Sequence, residues 1–199
     1  MRIGVLALQG DVREHRHSLA GVGVETREVR IPAHLEGVDG LVMPGGESTT
    51  LGKLLAKSGL DEAIAAFAGE GGAVFGTCAG LILMAQSING SEQPRLGLMD
   101  VEVDRNAYGR QVESFEAGLE IAALGEQMFQ GVFIRAPQIA SVGREVEVLA
   151  QFGGRPVLVR QGRLLGAAFH PELTDDLRLH RYFVSLMAAG TGGSTPAHE

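Results

Sequence analysis

The chain has one cysteine, and it lies in a segment typical of a catalytic nucleophile. Residues 74–81 read VFGTCAGL, which places Cys78 between a predicted buried strand and an apolar helix-forming segment, with a glycine two residues to either side. Glycines permit a sharp turn and a close approach of substrate, and a helix N-terminus behind the sulfur favours the thiolate. The alternative interpretation is a buried structural cysteine beside a tight turn.

The segment Phe169-His170-Pro171-Glu172 could supply a base for that thiol. Pro171 restricts His170 to extended backbone, in which side chains two residues apart project to the same side. Glu172 is therefore expected behind His170, where a carboxylate fixes the imidazole tautomer and leaves the second ring nitrogen free to accept a proton. The other histidines lack such a neighbour and are interpreted as surface or core residues: His15, His17, His34, His180 and His198.

A second glycine turn, Pro44-Gly45-Gly46-Glu47-Ser48, follows a predicted strand. Its backbone N–H groups could bind an oxyanion or a substrate carboxylate. The alternative is a simple strand-to-helix connection in which Ser48 or Thr49 is the helix N-cap.

Two arginines near predicted strand ends could bind the carboxylate of a substrate. Arg105 follows a strand-like segment, and Arg135 follows Phe133-Ile134. The guanidinium group binds carboxylates through two parallel hydrogen bonds. Surface ion pairs are the alternative explanation for both residues.

In the first half of the chain, short apolar segments alternate with helix-forming segments. We predict strands at residues 3–8, 24–29, 40–43 and 73–75, and helices at 11–19, from 51 onward, at 60–68 and at 79–85. Asp11 is the expected N-cap of the first helix. This alternation predicts an α/β fold with a doubly wound, mostly parallel sheet flanked by helices.

The second half contains strand-like segments joined by glycine and proline turns. They lie at 98–103, 132–134, 146–152, 156–160 and 164–169, and they predict an antiparallel extension of the parallel core. A final amphipathic helix is expected at 175–189. We predict a single domain over residues 1–189 and a disordered tail at 190–199.

Composition excludes several classes of function. The 199 residues include 17 basic and 24 acidic side chains, a net charge of -7, and the basic residues are scattered, which argues against nucleic acid as a partner. The sequence contains no apolar run of about 20 residues that could span a membrane. One cysteine and no recognisable secretion signal predict a cytoplasmic location.

The FGTCAG, PGGES and FHPE segments, in this order, resemble class I (triad-type) glutamine amidotransferases. Further segments are similar, more specifically, to the glutaminase subunits of pyridoxal 5'-phosphate synthases: LQGDVREH at 8–15, RNAYGRQVESFE at 105–116, VFIRAPQI at 132–139 and FHPELT at 169–174. The resemblance extends from residue 3 to about residue 183.

The resemblance implies a Cys-His-Glu triad of Cys78, His170 and Glu172 that hydrolyses L-glutamine through a thioester. It also implies glutamine contacts from Gly46, Glu47, Ser48, Arg105, Ile134 and Arg135, and an oxyanion hole formed by Gly45, Gly46 and Ala79. Gln9 and Gly10 would face a partner, the (β/α)8-barrel synthase subunit that receives the ammonia. No cofactor and no metal are implied for this chain.

Two other classes of function are compatible with these residues. A cysteine hydrolase of peptides or γ-glutamyl compounds uses the same kind of turn. A catalytically silent binding module could keep the fold without the reaction. Release of ammonia from glutamine on mixing with a synthase subunit would distinguish the amidotransferase from both.

Overall fold

The structure is a computed structural model that describes residues 1–105 and 114–188. Its first half alternates strands and helices. The strands are β1 (Arg2–Leu6), β2 (Glu25–Val29), β3 (Gly40–Met43) and β4 (Ala73–Thr77), and the helices are α1 (Val12–Gly21), α2 (Ser48–Ser58), α3 (Leu60–Gly69) and α4 (Ala79–Met84). Every strand and helix predicted for this half is present, with small shifts at the ends.

The second half is mostly strands. These are β5 (Ala85–Ile88), β6 (Met99–Asp104), β7 (Ser114–Leu119), β8 (Phe129–Ile134), β9 (Gln138–Val142), β10 (Glu147–Phe152), β11 (Arg155–Gln161) and β12 (Leu164–Ala167), followed by helix α5 (Arg178–Ala188). Helix α5 begins later than predicted because Asp176 Oδ1 accepts a hydrogen bond from the backbone N–H of Arg178 at 3.0 Å. Residue 189, the predicted tail at 190–199 and residues 106–113 of the RNAYGRQVESFE segment lie outside the described residues.

Seven strands form the central sheet, in the order β10-β11-β12-β4-β3-β1-β2. The pairs β2-β1, β1-β3, β3-β4 and β4-β12 are parallel, and β11 is antiparallel to both of its neighbours. The mostly parallel α/β fold is therefore confirmed. The predicted antiparallel extension is correct only for β10 and β11. Strand β12, expected in that extension, is parallel to β4 within the core, while β6 pairs with β5 and β9 in one small sheet and β8 pairs with β7 in another.

Helices cover both faces of the central sheet. On β4, Phe75 contacts the rings of His15 on α1 and His180 and Phe183 on α5. The next residue, Gly76, faces α4, because a Cβ there would lie 2.6 Å from Met84 Sδ. Adjacent residues of a strand point to opposite faces, so α1 and α5 pack on one face and α4 on the other. A sheet covered in this way explains why the β4 segment is continuously apolar.

The parallel register brings three strand ends to one edge of the sheet. Thr77, the last residue of β4, lies beside Ala167, the last residue of β12, while Met43 at the end of β3 lies beside Gly76. The segments that follow these strands carry Cys78, His170 and the Pro44-Gly45-Gly46 turn. The sheet therefore places all three predicted motifs together, although they are far apart in the sequence.

Three strands were not predicted: β5, β7 and β9. Strand β7 has only one buried residue, Leu119. It is held by antiparallel pairing with β8 and by stacking of Phe115 on Phe133, with ring centroids 4.5 Å apart. Such strands depend on tertiary contacts that local sequence does not reveal. None of the helices that the structure describes is long and apolar enough to cross a membrane.

Candidate active site

Cys78 occupies a strained turn between β4 and α4. Its backbone has φ 48° and ψ −104°, a conformation that residues other than glycine rarely adopt. The flanking glycines are required by close packing, because a Cβ at Gly76 would lie 2.6 Å from the Gly80 backbone, and one at Gly80 would overlap the Met43 carbonyl. The Cys78 N–H donates to Ala167 O at 2.9 Å, which ties the turn to β12. The sharp turn predicted from the sequence is confirmed.

His170 and Glu172 form a buried pair beyond the end of β12. Nδ1 of His170 lies 2.7 Å from Glu172 Oε1, and both side chains are almost completely shielded from solvent. The predicted pairing is confirmed, but the route to it differs, since residues Pro171–Leu173 form a 3-10 turn and do not continue the extended chain. The His170 N–H donates to Val132 O at 2.8 Å, which fixes this segment against β8.

The surroundings of His170 increase the affinity of its imidazole for a proton. Burial alone would lower its pKa, but the neighbouring side chains of Asp11, Cys78 and Glu172 outweigh burial and raise the pKa. Burial raises the pKa of Glu172, and the neighbouring His170 opposes that shift. Glu172 Oε1 accepts a hydrogen bond from Nδ1 of His170. The other ring nitrogen, Nε2, is therefore available to accept a proton from the Cys78 thiol.

The Cys78 thiol is close to His170 without being hydrogen-bonded to it. Sγ lies 3.9 Å from the carbonyl oxygen of Ile134, which accepts from the S–H group. Within residues 1–105 and 114–188, Nε2 of His170 is buried and has no hydrogen-bond partner. This nitrogen is therefore free to accept a proton from the thiol.

A cavity of ≈ 410 Å³ opens in front of Cys78 and His170. Its volume falls in the range of about 300–1,000 Å³ typical of small-molecule sites. The sequence had predicted most of its lining as catalytic, glutamine-contacting or partner-facing residues: Gln9, Gly46, Glu47, Ser48, Cys78, Arg105, Ile134, Arg135 and His170. Asp11, Ile82 and Leu173 also line it and were not predicted as site residues. Gly10, Gly45 and Ala79 do not belong to this lining.

Glu47 caps helix α2, so the alternative assignment of Ser48 or Thr49 as N-cap is wrong. Its carboxylate accepts hydrogen bonds from the backbone N–H groups of Thr49 at 3.0 Å and Thr50 at 2.7 Å. The hydroxyl and N–H groups of these two threonines lower the pKa of Glu47 to about 2. Arg105 lies 3.3 Å from the same carboxylate, which positions its guanidinium group at the cavity.

The second arginine sits on a strained backbone. Arg135 follows β8 and has φ 43°, which is uncommon for a residue with a side chain. The preceding residue, Ile134, presents its carbonyl to Cys78 and leaves 37 % of its surface exposed at the cavity. Backbone strain of this kind is concentrated at functional sites, where surrounding structure maintains it.

The loop before α1 packs directly on the glycine turn. Gly10 has φ 101°, and a Cβ there would overlap the Gly45 carbonyl. Gln9 Oε1 accepts from the Glu47 N–H at 3.1 Å. Asp11 is the N-cap residue of α1, as predicted, but its side chain makes no capping hydrogen bond. Its carboxylate instead lies 3.4 Å from His170 Nδ1.

Two histidines that the sequence analysis set aside are buried behind the site. His15 Nε2 lies 3.3 Å from Glu172 Oε2 and 3.0 Å from Thr77 Oγ1, and His15 Nδ1 lies 3.1 Å from His180 Nε2. Burial lowers the pKa of both histidines, that of His180 to about 4. Helical periodicity could have indicated His15, because Leu19, one turn further along α1, is buried on the same face.

The neutral, buried His180 makes the fold sensitive to acid. The pKa of His180 is about 4 in the folded state, below the ordinary value of 6.5. Between pH 6.5 and pH 4 the unfolded chain therefore binds more protons than the folded chain, and the stability of the fold decreases as the pH is lowered. The free energy of unfolding decreases between pH 7 and pH 4, and we expect this decrease to be ~3 kcal/mol smaller in His180→Gln than in the wild type. Urea unfolding of both proteins across this range measures the difference. Equal pH dependence in the two proteins would contradict the assignment.

Three groups in the site offer atoms that metals bind. Atoms of Asp11, His170 and Glu172 lie within 4.8 Å of one another. The short distances from His170 Nδ1 to the two carboxylates, 2.7 Å and 3.4 Å, are accounted for by hydrogen bonding and charge attraction. This cluster therefore requires no ion to explain its geometry.

Known proteins share both the sequence and the fold. The chain is 61% identical over 184 residues to pyridoxal 5'-phosphate synthase subunit PdxT of Pelotomaculum thermopropionicum, covering 92% of this chain and 94% of the relative. It is 56% identical over 187 residues to the PdxT subunit of Thermotoga neapolitana, covering 94% and 100%.

Two solved structures share the fold of this chain. A crystal structure described as a glutamine amidotransferase superposes with a TM-score of 0.90 at 55% identity, covering 94% of this chain and 98% of that one. A chain in the structure of PurLQS from Thermotoga maritima has a TM-score of 0.72 at 16% identity, covering 92% of this chain and 97% of that one. At that identity the likeness shows the fold alone.

The α/β sheet, with a cysteine turn after one strand and a histidine-carboxylate pair after its neighbour, defines the class as the glutamine amidotransferases. Within that class, the chain belongs to the SNO glutamine amidotransferase family, whose sequence profile matches residues 5–189.

Proposed function

We propose that this protein is the glutaminase subunit of a pyridoxal 5'-phosphate synthase. It hydrolyses L-glutamine to L-glutamate and ammonia and delivers the ammonia to a (β/α)8-barrel synthase subunit. The names of the PdxT relatives at 61% and 56% identity support the complex. The observation that carries the chemistry is the buried His170–Glu172 pair beside Cys78 at one sheet edge. The cytoplasm is the proposed compartment.

In the first half of the reaction, Cys78 attacks the side-chain amide carbon of glutamine. His170 Nε2 takes the thiol proton, while Glu172 holds Nδ1 and stabilises the resulting imidazolium ion. The raised pKa of His170 favours this charge separation. The C–N bond of the tetrahedral intermediate then breaks, and the imidazolium donates its proton to the leaving nitrogen, which departs as ammonia.

In the second half, water attacks the glutamyl thioester. His170 accepts a proton from the water, the C–S bond breaks, and the proton returns to sulfur as glutamate forms. We propose backbone N–H groups of Gly45, Gly46 and Ala79 as donors to the oxyanion in both halves. This assignment rests on the position of Ala79 directly after Cys78 and of the Gly45-Gly46 turn, whose Gly46 lines the cavity with Cys78.

The remaining lining residues would bind glutamine. We propose that Arg105 and Arg135 bind its α-carboxylate, because both are cationic residues on the cavity wall. Contacts to the rest of the substrate are assigned to Gly46, Glu47, Ser48 and Ile134. Gln9 and Gly10 lie at the start of α1 beside the glycine turn, and we propose that they face the synthase subunit.

A glutaminase assay with and without the synthase subunit tests this function. We expect glutamate and ammonia to form from L-glutamine when the two proteins are mixed, with little product from this chain alone. Cleavage of peptides or γ-glutamyl compounds by the isolated chain would instead support a hydrolase. Tight association with the synthase subunit without hydrolysis would support a silent binding module.

A further inference from the structure

His15 connects the two segments that carry the reactive groups. Its ring has no exposed surface, and its Nε2 atom lies 3.0 Å from Oγ1 of Thr77, the residue before Cys78. The same atom lies 3.3 Å from Oε2 of Glu172, whose side chain is also completely buried. One nitrogen atom therefore contacts both the β4 end and the carboxylate that orients His170.

We propose that His15 is a positioning residue for glutamine hydrolysis, which holds the Glu172 carboxylate in place through its Nε2–H group. This inference rests on the proposed glutaminase function. His15 does not line the cavity, so it acts through Glu172 and makes no contact with substrate.

The hydrogen-bonding capacity of Glu172 supports this role. Oε1 is taken by His170 Nδ1 at 2.7 Å. Oε2 is buried, and no residue that the structure describes makes a well-aligned hydrogen bond to it. A nitrogen atom near it is Nε2 of His15, at 3.3 Å. A buried anion is costly unless donors compensate it. An N–H group at His15 Nε2, shared between Thr77 and Glu172, supplies that compensation, whereas a lone pair there would repel the carboxylate.

The partner on the other side of His15 fits the same tautomer. With the proton on Nε2, Nδ1 is an acceptor, and His180 Nε2 lies 3.1 Å from it and can donate. Both histidines are held neutral, because burial lowers the pKa of each. The N–H groups therefore point in one direction, from His180 to His15 and from His15 toward the Glu172 carboxylate.

Helix α1 contacts the His170–Glu172 pair at two points. Asp11 precedes the helix and lies 3.4 Å from His170 Nδ1, and His15 lies one turn later against Glu172. Residues four apart occupy the same face of a helix. The start of α1 therefore supports both the imidazole and its carboxylate.

Removal of the donor should weaken catalysis without weakening substrate binding. We expect His15→Leu, assayed with the synthase subunit, to lower kcat for glutamine hydrolysis roughly tenfold to a hundredfold, as expected when a buried charged group loses its donor. KM should change little. The acidic limb of the pH profile of kcat/KM should move to higher pH, because Glu172 takes up a proton more readily when it lacks the hydrogen-bond donor.

Two further variants separate positioning from packing. His15→Gln keeps an N–H donor near the original Nε2 position and should recover most of kcat and the original acidic limb. His17→Leu, on the exposed face of the same helix, should behave as the wild type. Equal losses in His15→Leu and His15→Gln with an unchanged pH profile would overturn the proposal, and so would wild-type activity of His15→Leu.

The tautomer of His15 can be determined in the wild-type protein, so this test does not depend on whether a variant folds. Long-range ¹H–¹⁵N correlation spectra of ¹⁵N-histidine-labelled protein should show His15 protonated at Nε2 and neutral from pH 6 to 8. Protonation at Nδ1 would overturn the proposal. These outcomes differ from failure of the proposed function, in which the wild-type complex itself would hydrolyse no glutamine.

Discussion

Cys78→Ala is expected to abolish glutamate formation by the complex while leaving synthesis from ammonium salts intact. The substitution removes the proposed nucleophile, and no thioester can form without it. Ammonia supplied from solution bypasses this step, because only its source has been lost. Glutamate release and pyridoxal 5'-phosphate formation, measured in the same mixture with glutamine or with ammonium chloride, give the two activities separately.

The structure indicates that Cys78→Ala should fold. Among the residues that the structure describes, the Cys78 side chain makes one weak hydrogen bond, at 3.9 Å to Ile134 O. The strained backbone is held by the Ala167 carbonyl and by packing around Gly76 and Gly80. Unchanged thermal unfolding is the control. Loss of ammonium-dependent synthesis as well would contradict the division of labour, and continued glutamate formation would mean that another group attacks the amide.

Each motif that could be identified from the sequence has a signal within its own short segment. The turn at Cys78 requires glycines at fixed offsets, and Pro171 constrains the histidine that precedes it, so both segments can be recognised without tertiary information. Alternating strands and helices then predict a parallel sheet. The parallel pairing of β4 with β12, which brings Cys78 and His170 to the same edge, was not predicted, because the β12 segment was assigned to the antiparallel extension.

The residues that sequence analysis missed depend on contacts between distant segments. Asp11 has the N-cap position predicted for it, but its carboxylate makes no capping hydrogen bond and lies 3.4 Å from Nδ1 of His170. His180 contacts His15 across 165 positions of the chain. Glu47 was predicted to bind substrate, and its capping of α2 became visible only when the start of the helix at Ser48 was known.

His170→Asn is expected to lower kcat for glutamine hydrolysis by a factor on the order of hundreds or more, the usual contribution of a general base. An asparagine amide N–H can replace Nδ1 in the hydrogen bond to Glu172, which is 2.7 Å long in the structure. Nothing in that side chain replaces Nε2. Because binding of glutamine does not depend on Nε2, KM should change little.

The pH dependence of His170→Asn distinguishes loss of a base from loss of structure. Without an imidazole to accept its proton, Cys78 reacts only as preformed thiolate, so the residual rate should rise with pH where the wild-type rate is level. His17→Asn, on the exposed face of α1, is the matched control. A near-normal rate would mean that another group takes the proton. Asp11 would then be the first group to substitute, since its carboxylate lies 3.4 Å from the His170 ring on the same cavity.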